Sequence, residues 1–285
     1  MIPIDHHVHL EKGPYSLEWL GSFLRTAADR KVAHLGIVEH TTQFRALMTG
    51  ANRRELAPGD DPASLAQKAW FERHMNRGGL CEYTTFIKQA RERHPGTAFG
   101  LEVDWFGGPV TADAGMEFDW DFLIGSVHFI EEKAADNPGL PGIWDRLPVT
   151  DAYIRYFDLL RSAVESRAFD ILGHLDVLKM VKPLPADRKV AESLDRLIDA
   201  IAVSGITVEV NTAFSYRQEP REEFCPSRAI IARLVSRGVP LTLSSDAHRP
   251  EHVGMNLDKA AGMLQALGVK CVRRFQRRKP EDMPL

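Results

Sequence analysis

The sequence is poor in the features that mark secreted, membrane-spanning or nucleic-acid-binding proteins. Its three cysteines are odd in number and widely spaced, which excludes a disulfide framework and favours a reduced protein: Cys81, Cys225 and Cys271. No apolar stretch approaches the roughly 18–20 residues of a membrane span. A formal charge of −3 and a pI near 6.4 give no argument for nucleic acid or an anionic membrane as a partner.

The N-terminus lacks the pattern of a secretory signal. The chain begins Met-Ile-Pro-Ile-Asp, without a basic segment followed by an apolar one, so no signal peptide is expected and a cytoplasmic location is predicted. Because the net charge is slightly negative, any acidic substrate would have to be bound by local cations or metal ions.

Strand-like apolar runs alternate with helical patterns along the chain. The runs lie near 2–9, 34–38, 97–103, 121–127, 169–173, 206–211 and 239–244. Helices are predicted near 16–27, 80–94, 150–164, 187–203, 226–237 and 257–267. This alternation implies a parallel sheet, and seven repeats imply closure. The prediction is an α/β protein with a seven-stranded, TIM-like β/α barrel.

Two polar segments interrupt this alternation. Residues 41–79 separate the second strand from its helix, and residues 131–149 follow the fourth strand with two Pro-Gly pairs. Insertions at strand carboxyl ends lie over the mouth of a barrel, so both are candidate lids or substrate walls, with surface decoration as the alternative. No boundary between them indicates a second domain, and residues 1–285 are expected to form one.

Most of the predicted strands end in a histidine or a carboxylate. In a parallel barrel the carboxyl ends of the strands meet at one mouth, where catalytic residues collect. An isolated histidine on an apolar strand is usually a structural residue, but this alternative weakens when nearly every strand ends in one. The convergent set is His7, His9, His40, Glu102, His128, His174, Asp246 and His248.

The spacing of the first two histidines favours a metal site. Side chains alternate across a strand, so His7 and His9 face the same way while His6 faces the other, as a packed residue. Two imidazoles at i and i+2 can bind one ion from a strand end. A mixture of imidazoles and carboxylates suits Zn, Mn or Fe better than Ca.

The ordered set resembles the PHP (polymerase and histidinol phosphatase) superfamily of metal-dependent phosphoesterases. The resemblance covers almost the whole chain and implies a distorted seven-stranded barrel of the PHP type. Within the superfamily, three segments look like the histidinol-phosphatase branch: Ile124-Gly125-Ser126-Val127-His128-Phe129, Glu209-Val210-Asn211-Thr212 and Cys225-Pro226-Ser227.

The resemblance implies three divalent ions, of Zn, Mn or Fe. The first would be bound by His7, His9, Glu102 and Asp246, and the second by the bridging Glu102 with His128 and His174. The third would use His40, His248 and a residue shortly after the first two histidines. Glu11 is the nearest suitable candidate for that position. Tyr15 is the alternative, although a phenol of pKa near 10 is the poorer ligand at neutral pH.

The same resemblance implies hydrolysis of L-histidinol phosphate, a small phosphorylated substrate in histidine biosynthesis. Catalytic roles are predicted for His248 as a metal-ligating residue, for Lys179 as a cation at the phosphate, and for Asp176 as an orienting or protonating acid. Substrate binding is predicted for Asn211, Arg217 and Tyr216. The alternative for Lys179 and Arg217 is a solvated surface charge, and the alternative for Asp176 is a turn-stabilising role.

The segment after residues 209–212 departs from the branch, because it reads Ala213-Phe214-Ser215-Tyr216-Arg217 where a Gly-Leu-basic segment is usual. The leaving group could therefore differ, and a second hypothesis is a PHP phosphoesterase acting on a nucleotide, a sugar phosphate or phosphotyrosine. Two further alternatives are a catalytically silent binding module, which would be expected to have lost ligands, and an amidohydrolase, which usually has a lysine at a mid-barrel strand end.

Overall fold

The computed structural model describes the chain in eight stretches. They are residues 1–47, 59–74, 79–108, 117–131, 133–137, 139–140, 142–217 and 223–285. Parts of both predicted insertions, residues 48–58, 75–78, 132, 138 and 141, lie outside the described residues.

Seven parallel strands form one sheet that is nearly closed into a barrel. They are β1 (Asp5–Val8), β2 (Leu35–Ile37), β3 (Ala98–Asp104), β4 (Phe122–Ser126), β7 (Ile171–Leu172), β8 (Thr207–Asn211) and β9 (Leu241–Ser244). Their order is β1-β2-β3-β4-β7-β8-β9. The circle closes where the His9 amide donates to the Ala247 carbonyl oxygen at 2.8 Å. The predicted α/β barrel and its seven strands are confirmed.

Eight α-helices occur in the described stretches. The six predicted ones are α1 (Leu17–Asp29), α3 (Leu80–Arg93), α4 (Val149–Ser166), α5 (Arg188–Ser204), α7 (Arg228–Ser236) and α8 (Leu257–Ala266). The Ser16 hydroxyl caps α1 by accepting from the Trp19 amide at 3.1 Å. Two helices were not predicted, namely α2 (Pro62–His74) within the first insertion and the short α6 (Ala213–Arg217).

Two antiparallel hairpins complete the described part of the fold. β5 (Phe129–Ile130) pairs with β6 (Lys133–Ala134) above the barrel mouth, and β10 (Cys271–Gln276) pairs with β11 (Lys279–Pro284) near the chain end. Phe275 packs in one core cluster with Phe122 of β4. The His6 ring lies 4.2 Å from the Phe122 ring and 5.9 Å from the Phe275 ring, centroid to centroid. His6 is thus a packed residue on the face opposite to His7 and His9.

Asp5 joins the two strands at the seam of the barrel. Its buried carboxylate accepts three hydrogen bonds, from the Ser245 amide at 2.7 Å, the Ser245 hydroxyl at 2.5 Å and the Gly254 amide at 2.8 Å. The substitution Asp5→Ala leaves all three buried donors without an acceptor. We expect it to lower the free energy of unfolding by about 3 kcal/mol, because each unpaired buried group costs on the order of 1–3 kcal/mol.

Urea unfolding followed by circular dichroism measures this loss. The matched control is Asp29→Ala at the exposed end of α1, which should change the free energy of unfolding by less than about 0.5 kcal/mol. Equal unfolding midpoints for the two variants would show that the seam does not depend on Asp5.

Candidate metal centre

Glu102 on β3 is the centre of the cluster at the barrel mouth. Its carboxylate is buried, and its two oxygens face different groups of imidazoles. Oε2 lies 3.2 Å from His7 Nε2, 3.5 Å from His9 Nε2 and 2.9 Å from His40 Nδ1. Oε1 lies 3.3 Å from His128 Nε2 and 2.9 Å from His174 Nε2. One carboxylate therefore contacts five imidazoles from the ends of four strands, as a bridging ligand would.

The nitrogens of this cluster lie as close together as the ligand atoms of a bound ion would. His128 Nε2 and His174 Nε2 face each other at 3.1 Å, where two imidazole lone pairs repel unless a cation or a proton lies between them. Several inward-facing atoms are buried without a hydrogen-bond partner, among them His7 Nε2, both ring nitrogens of His9, and Glu102 Oε2. Buried polar atoms are almost always paired. Their convergence fits a bound divalent ion, whose ligands they would be.

In the part of the chain that the structure describes, four groups of side chains have ligand atoms within 4.8 Å of one another. Three contain only predicted ligands, and the fourth adds one carboxylate. The groups are His7, His9 and Asp246; Glu102, His128 and His174; His9, His40 and His248; and His40, Asp104 and His128. Imidazoles with carboxylates in groups of three are typical of Zn, Mn or Fe sites.

The electrostatics of the cluster are dominated by Glu102. Burial alone would raise the pKa of Glu102, but the imidazoles of His40, His7 and His128 outweigh it and hold that pKa well below its usual range. In return, although burial lowers the pKa of His40, the nearby Glu102 carboxylate raises it to about 9. His9 has the opposite balance, because burial and the imidazoles of His248 and His40 lower its pKa.

Glu11, the residue predicted to complete a third ion site, lies beside His248. Glu11 Oε1 is 3.7 Å from His248 Nδ1 and 2.7 Å from Lys12 Nζ, while Oε2 accepts from Gln43 Nε2 at 2.5 Å. The alternative, Tyr15, instead packs its ring 4.9 Å from that of Tyr83, and it does not line the cavity at the mouth. The geometry favours Glu11 over Tyr15.

Carboxylates behind the cluster orient its imidazoles. Glu209 Oε2 lies 2.9 Å from His7 Nδ1 and accepts from the Ser244 hydroxyl at 2.7 Å, while Glu209 Oε1 accepts from the His174 amide at 2.5 Å. A carboxylate bonded to the outer nitrogen of a ligating histidine fixes its tautomer and increases its basicity. Glu209 thus directs His7 Nε2 toward Glu102.

Asp104 is a candidate ligand that the sequence analysis missed. Its Oδ1 lies 2.6 Å from His128 Nδ1, and its Oδ2 accepts from the Thr41 hydroxyl at 3.2 Å. Asp104 stands two residues after Glu102 on β3, so the two side chains share a face. The same alternation that paired His7 with His9 could have found it.

The cluster lies at the bottom of a cavity of about 360 Å³. Both insertions contribute to its walls, which agrees with their predicted position over the mouth. Thr42, Gln43 and Trp70 come from the first insertion, and Ala134, Asp136, Asn137 and Leu140 come from the second. The apolar part of the wall also includes Phe129, Val177, Met180, Ala213 and Phe214. Such a site can enclose a small organic molecule next to the metal ligands.

Of the predicted substrate-binding residues, Asn211 and Arg217 line this cavity. Asn211 Nδ2 donates to Glu209 Oε1 at 3.1 Å and to Asp246 Oδ2 at 3.3 Å, and Arg217 Nη2 lies 3.0 Å from Asp246 Oδ1. Tyr216 does not line the cavity. Its hydroxyl donates to the carbonyl oxygen of Ser245 at 2.7 Å, so it supports the turn that presents Asp246.

The predicted catalytic pair Lys179 and Asp176 lies behind the cavity wall and does not line it. Lys179 Nζ is 3.0 Å from Asp176 Oδ2 and donates to the Phe224 carbonyl oxygen at 2.5 Å. Asp176 Oδ2 also accepts from the Ser227 amide at 2.9 Å. The pair joins the segment after β7 to the segment that begins at residue 223, while His248 stands in the cluster itself.

Asp136 is a second carboxylate that the sequence analysis missed. It lines the cavity, and its Oδ2 lies 3.9 Å from His128 Nε2. Burial raises the pKa of Asp136, and the imidazoles of His128 and His174 oppose that rise. Asp136 follows the β5–β6 hairpin, and no pattern in the sequence predicted that hairpin.

Comparison with known proteins gives the class of this barrel and its site. The PHP domain family matches residues 5–213, which is most of the chain, and the chain belongs to that family. Two curated relatives carry the name "Probable histidinol-phosphatase". The one from Deinococcus radiodurans is 32% identical over 74% of this chain and 81% of its own length. The one from Schizosaccharomyces pombe is 25% identical over 94% of this chain and 88% of its own length.

A solved structure has the same fold. It is the histidinol phosphate phosphatase of Lactococcus lactis complexed with zinc, L-histidinol and phosphate, which superposes with a TM-score of 0.71 at 18% identity and covers 98% of both chains. The family resemblance and the PHP type of barrel are thereby confirmed. Within the described residues, no helix has the length and apolar character needed to cross a membrane.

Proposed function

We propose that the chain is a metal-dependent phosphatase that hydrolyses L-histidinol phosphate to L-histidinol and phosphate. The observation that carries the proposal is the convergence of five imidazoles on the two oxygens of Glu102, at the bottom of a cavity large enough for an amino-alcohol phosphate. Membership of the PHP family and the names of the curated relatives support it. The L-histidinol and phosphate bound in the structure of the Lactococcus lactis protein also support it.

The proposal includes three divalent ions, of Zn, Mn or Fe. His7, His9, Glu102 and Asp246 would bind the first, and Glu102, His128 and His174 the second. His40, His248 and Glu11 would bind the third. Asp104 would either orient the His128 ring or act as a further metal ligand beside it. Ions bound in such a cluster neutralise phosphate oxygens and lower the pKa of water toward about 7.

The chain's own cations and hydrogen bonds supply the rest. Arg217 and Lys12 line the cavity and would attract the phosphate, whose negative charge must be balanced as it transfers. Asn211 would hold Glu209 and Asp246 in place with the two hydrogens of its Nδ2, at the edge of the substrate cavity. Lys179, Asp176 and Tyr216 would act as positioning residues, since their polar atoms bond to the loops that form the wall.

Residues 1–285 would form one domain. β9 and the residues that follow it lie beyond the matched residues 5–213, yet β9 pairs with β8 and supplies Asp246 and His248 to the cluster. The C-terminal hairpin packs Phe275 under the barrel. A chain ending at residue 213 would therefore lack part of the candidate site.

The test is steady-state hydrolysis of histidinol phosphate and of generic monoesters. We expect kcat/KM for histidinol phosphate to exceed that for p-nitrophenyl phosphate or glycerol phosphate by about 100-fold or more, because a matched leaving group contributes a few kcal/mol of transition-state binding. Phosphate release is the readout. A nucleotide, sugar phosphate or phosphotyrosine peptide hydrolysed with equal or higher kcat/KM would transfer the assignment to that substrate.

A further inference from the structure

The charges around the cavity are divided between two sides of the barrel. Lys12 follows β1, and Arg217 is the last residue of α6, which directly follows β8. Because β8 and β1 are the two neighbours of β9 in the closed ring, the two cations lie on either side of β9. Asp136 reaches the cavity beside His128, which follows β4. In a ring of seven strands, β3 and β4 lie opposite β9. The two cations thus lie on one side of the cavity, each beside a predicted metal ligand, Lys12 beside Glu11 and Arg217 beside Asp246, while Asp136 lies on the other side.

Asp136 is held in place because the two insertions dock on each other. The Gln67 side-chain oxygen of α2 accepts from the Ala134 amide of β6 at 3.0 Å, and buried Lys133 Nζ donates to the Ser64 hydroxyl at 2.5 Å. The Phe71 ring stacks 5.3 Å from that of Phe129. Ser64, Gln67 and Phe71 are all buried, so these contacts form a packed interface between the two insertions. Asp136 lies two residues after the end of β6, next to this interface.

The surroundings of Asp136 suit a cationic group of the substrate. Among the residues that the structure describes, no lysine or arginine nitrogen lies within 4.0 Å of its carboxylate, and its charged neighbour at that range is the His128 ring at 3.9 Å. Trp70 and Phe129 line the same cavity. A carboxylate that has no lysine or arginine partner, in a cavity that also contains aromatic rings, is a typical environment for an alkylammonium group.

We infer that Asp136 binds the primary ammonium group of the amino-alcohol leaving group and so determines specificity for it. The inference rests on the proposed function and deepens it. With the phosphate at the metal cluster and the cations on the β9 side, the ammonium of the same molecule meets the carboxylate on the β4 side. The cavity then matches a substrate that is negative at one end and positive at the other.

The experiment compares Asp136→Asn with the wild type on two substrates. One is histidinol phosphate, and the other is imidazolylpropyl phosphate, which is the same molecule without its amino group. We expect Asp136→Asn to lower kcat/KM for histidinol phosphate by about 30-fold or more, chiefly through KM, since truncating one partner of a desolvated charge pair has effects of this size. For the analogue without the amino group, kcat/KM should change by less than about threefold. The matched control is Asp145→Asn, an exposed acid of the same insertion that does not line the cavity, and it should leave both values unchanged.

Elemental analysis of bound metal separates this role from metal binding. Asp136→Asn should keep the wild-type metal content, and Asp136→Glu should recover part of the preference for the amino compound. Equal losses on both substrates, or a fall in bound metal, would overturn the inference. If instead the wild-type chain itself showed no preference for histidinol phosphate over p-nitrophenyl phosphate, the proposed function would fail first.

Discussion

Glu102→Gln is expected to lower kcat by at least about 1,000-fold and to reduce bound metal, while the fold is kept. The glutamine side chain has the same shape, so the buried position on β3 can accept it without a cavity. It offers one oxygen instead of two and no negative charge. Its NH2 group would turn donors toward imidazole nitrogens that now face carboxylate oxygens at 2.9–3.3 Å.

Three measurements check this expectation together, namely phosphate release, elemental analysis and near-UV circular dichroism. Glu92→Gln provides the matched control, because Glu92 is exposed on α3 and the same change of charge there should leave kcat and metal content unaltered. A Glu102→Gln enzyme with wild-type metal content and turnover would remove Glu102 from the centre of the site.

The convergence of the site could be predicted because it depends only on topology. Parallel strands bring their carboxyl ends to one mouth whatever the exact strand bounds, so His9, Glu102 and His174 could be grouped although 165 positions separate the first from the last. Alternation along β1 likewise predicted that His6 would pack away from His7, and the His6 ring lies against Phe122. These predictions needed no knowledge of loop structure.

Helix α2 was missed because its buried face is polar. Ser64, Gln67 and Phe71 are buried at helical spacing, yet only Phe71 is apolar, so hydrophobic periodicity has nothing to detect. Its start did carry a signal. Asp61 Oδ1 accepts from the amides of Ala63 and Ser64 at 3.1 and 3.2 Å, and proline at the first helical position is typical of a helix start.

The two hairpins lacked the turn signals on which prediction depends. Arg277 and Arg278 connect β10 to β11 with φ of 50° and 60°, a conformation for which Asn-Gly or Asp-Gly is the usual signal. β5 and β6 have two residues each, too few to show alternation. Asp136 follows such a strand, which is why its place in the cavity could not be predicted.

Metal ions should also stabilise the fold strongly, and more at high pH than at low pH. An ion present at 1,000 times its dissociation constant contributes about 4 kcal/mol, so the three proposed ions would contribute about 12 kcal/mol. Imidazoles must be neutral to bind metal. The Glu102 carboxylate, opposing the effect of burial, raises the pKa of His40 to about 9 and also raises the pKa of His7, while Asp136 and Glu102 together raise the pKa of His128. Without metal these rings therefore bind protons at neutral pH that an ion must displace.

The sign of the pH effect follows from this competition. As pH rises toward about 9, fewer protons must be displaced, so metal affinity and the stability it adds both increase. Calorimetric Tm values with zinc and with a chelator should thus differ widely at pH 8.5 and converge toward pH 5.5. In Glu102→Gln the difference should be small at both pH values, because the carboxylate that holds the cluster together is gone. A zinc-dependent gain in Tm that stayed constant across this range would contradict ligation by these histidines, since any site built from protonated imidazoles must release protons when it binds a cation.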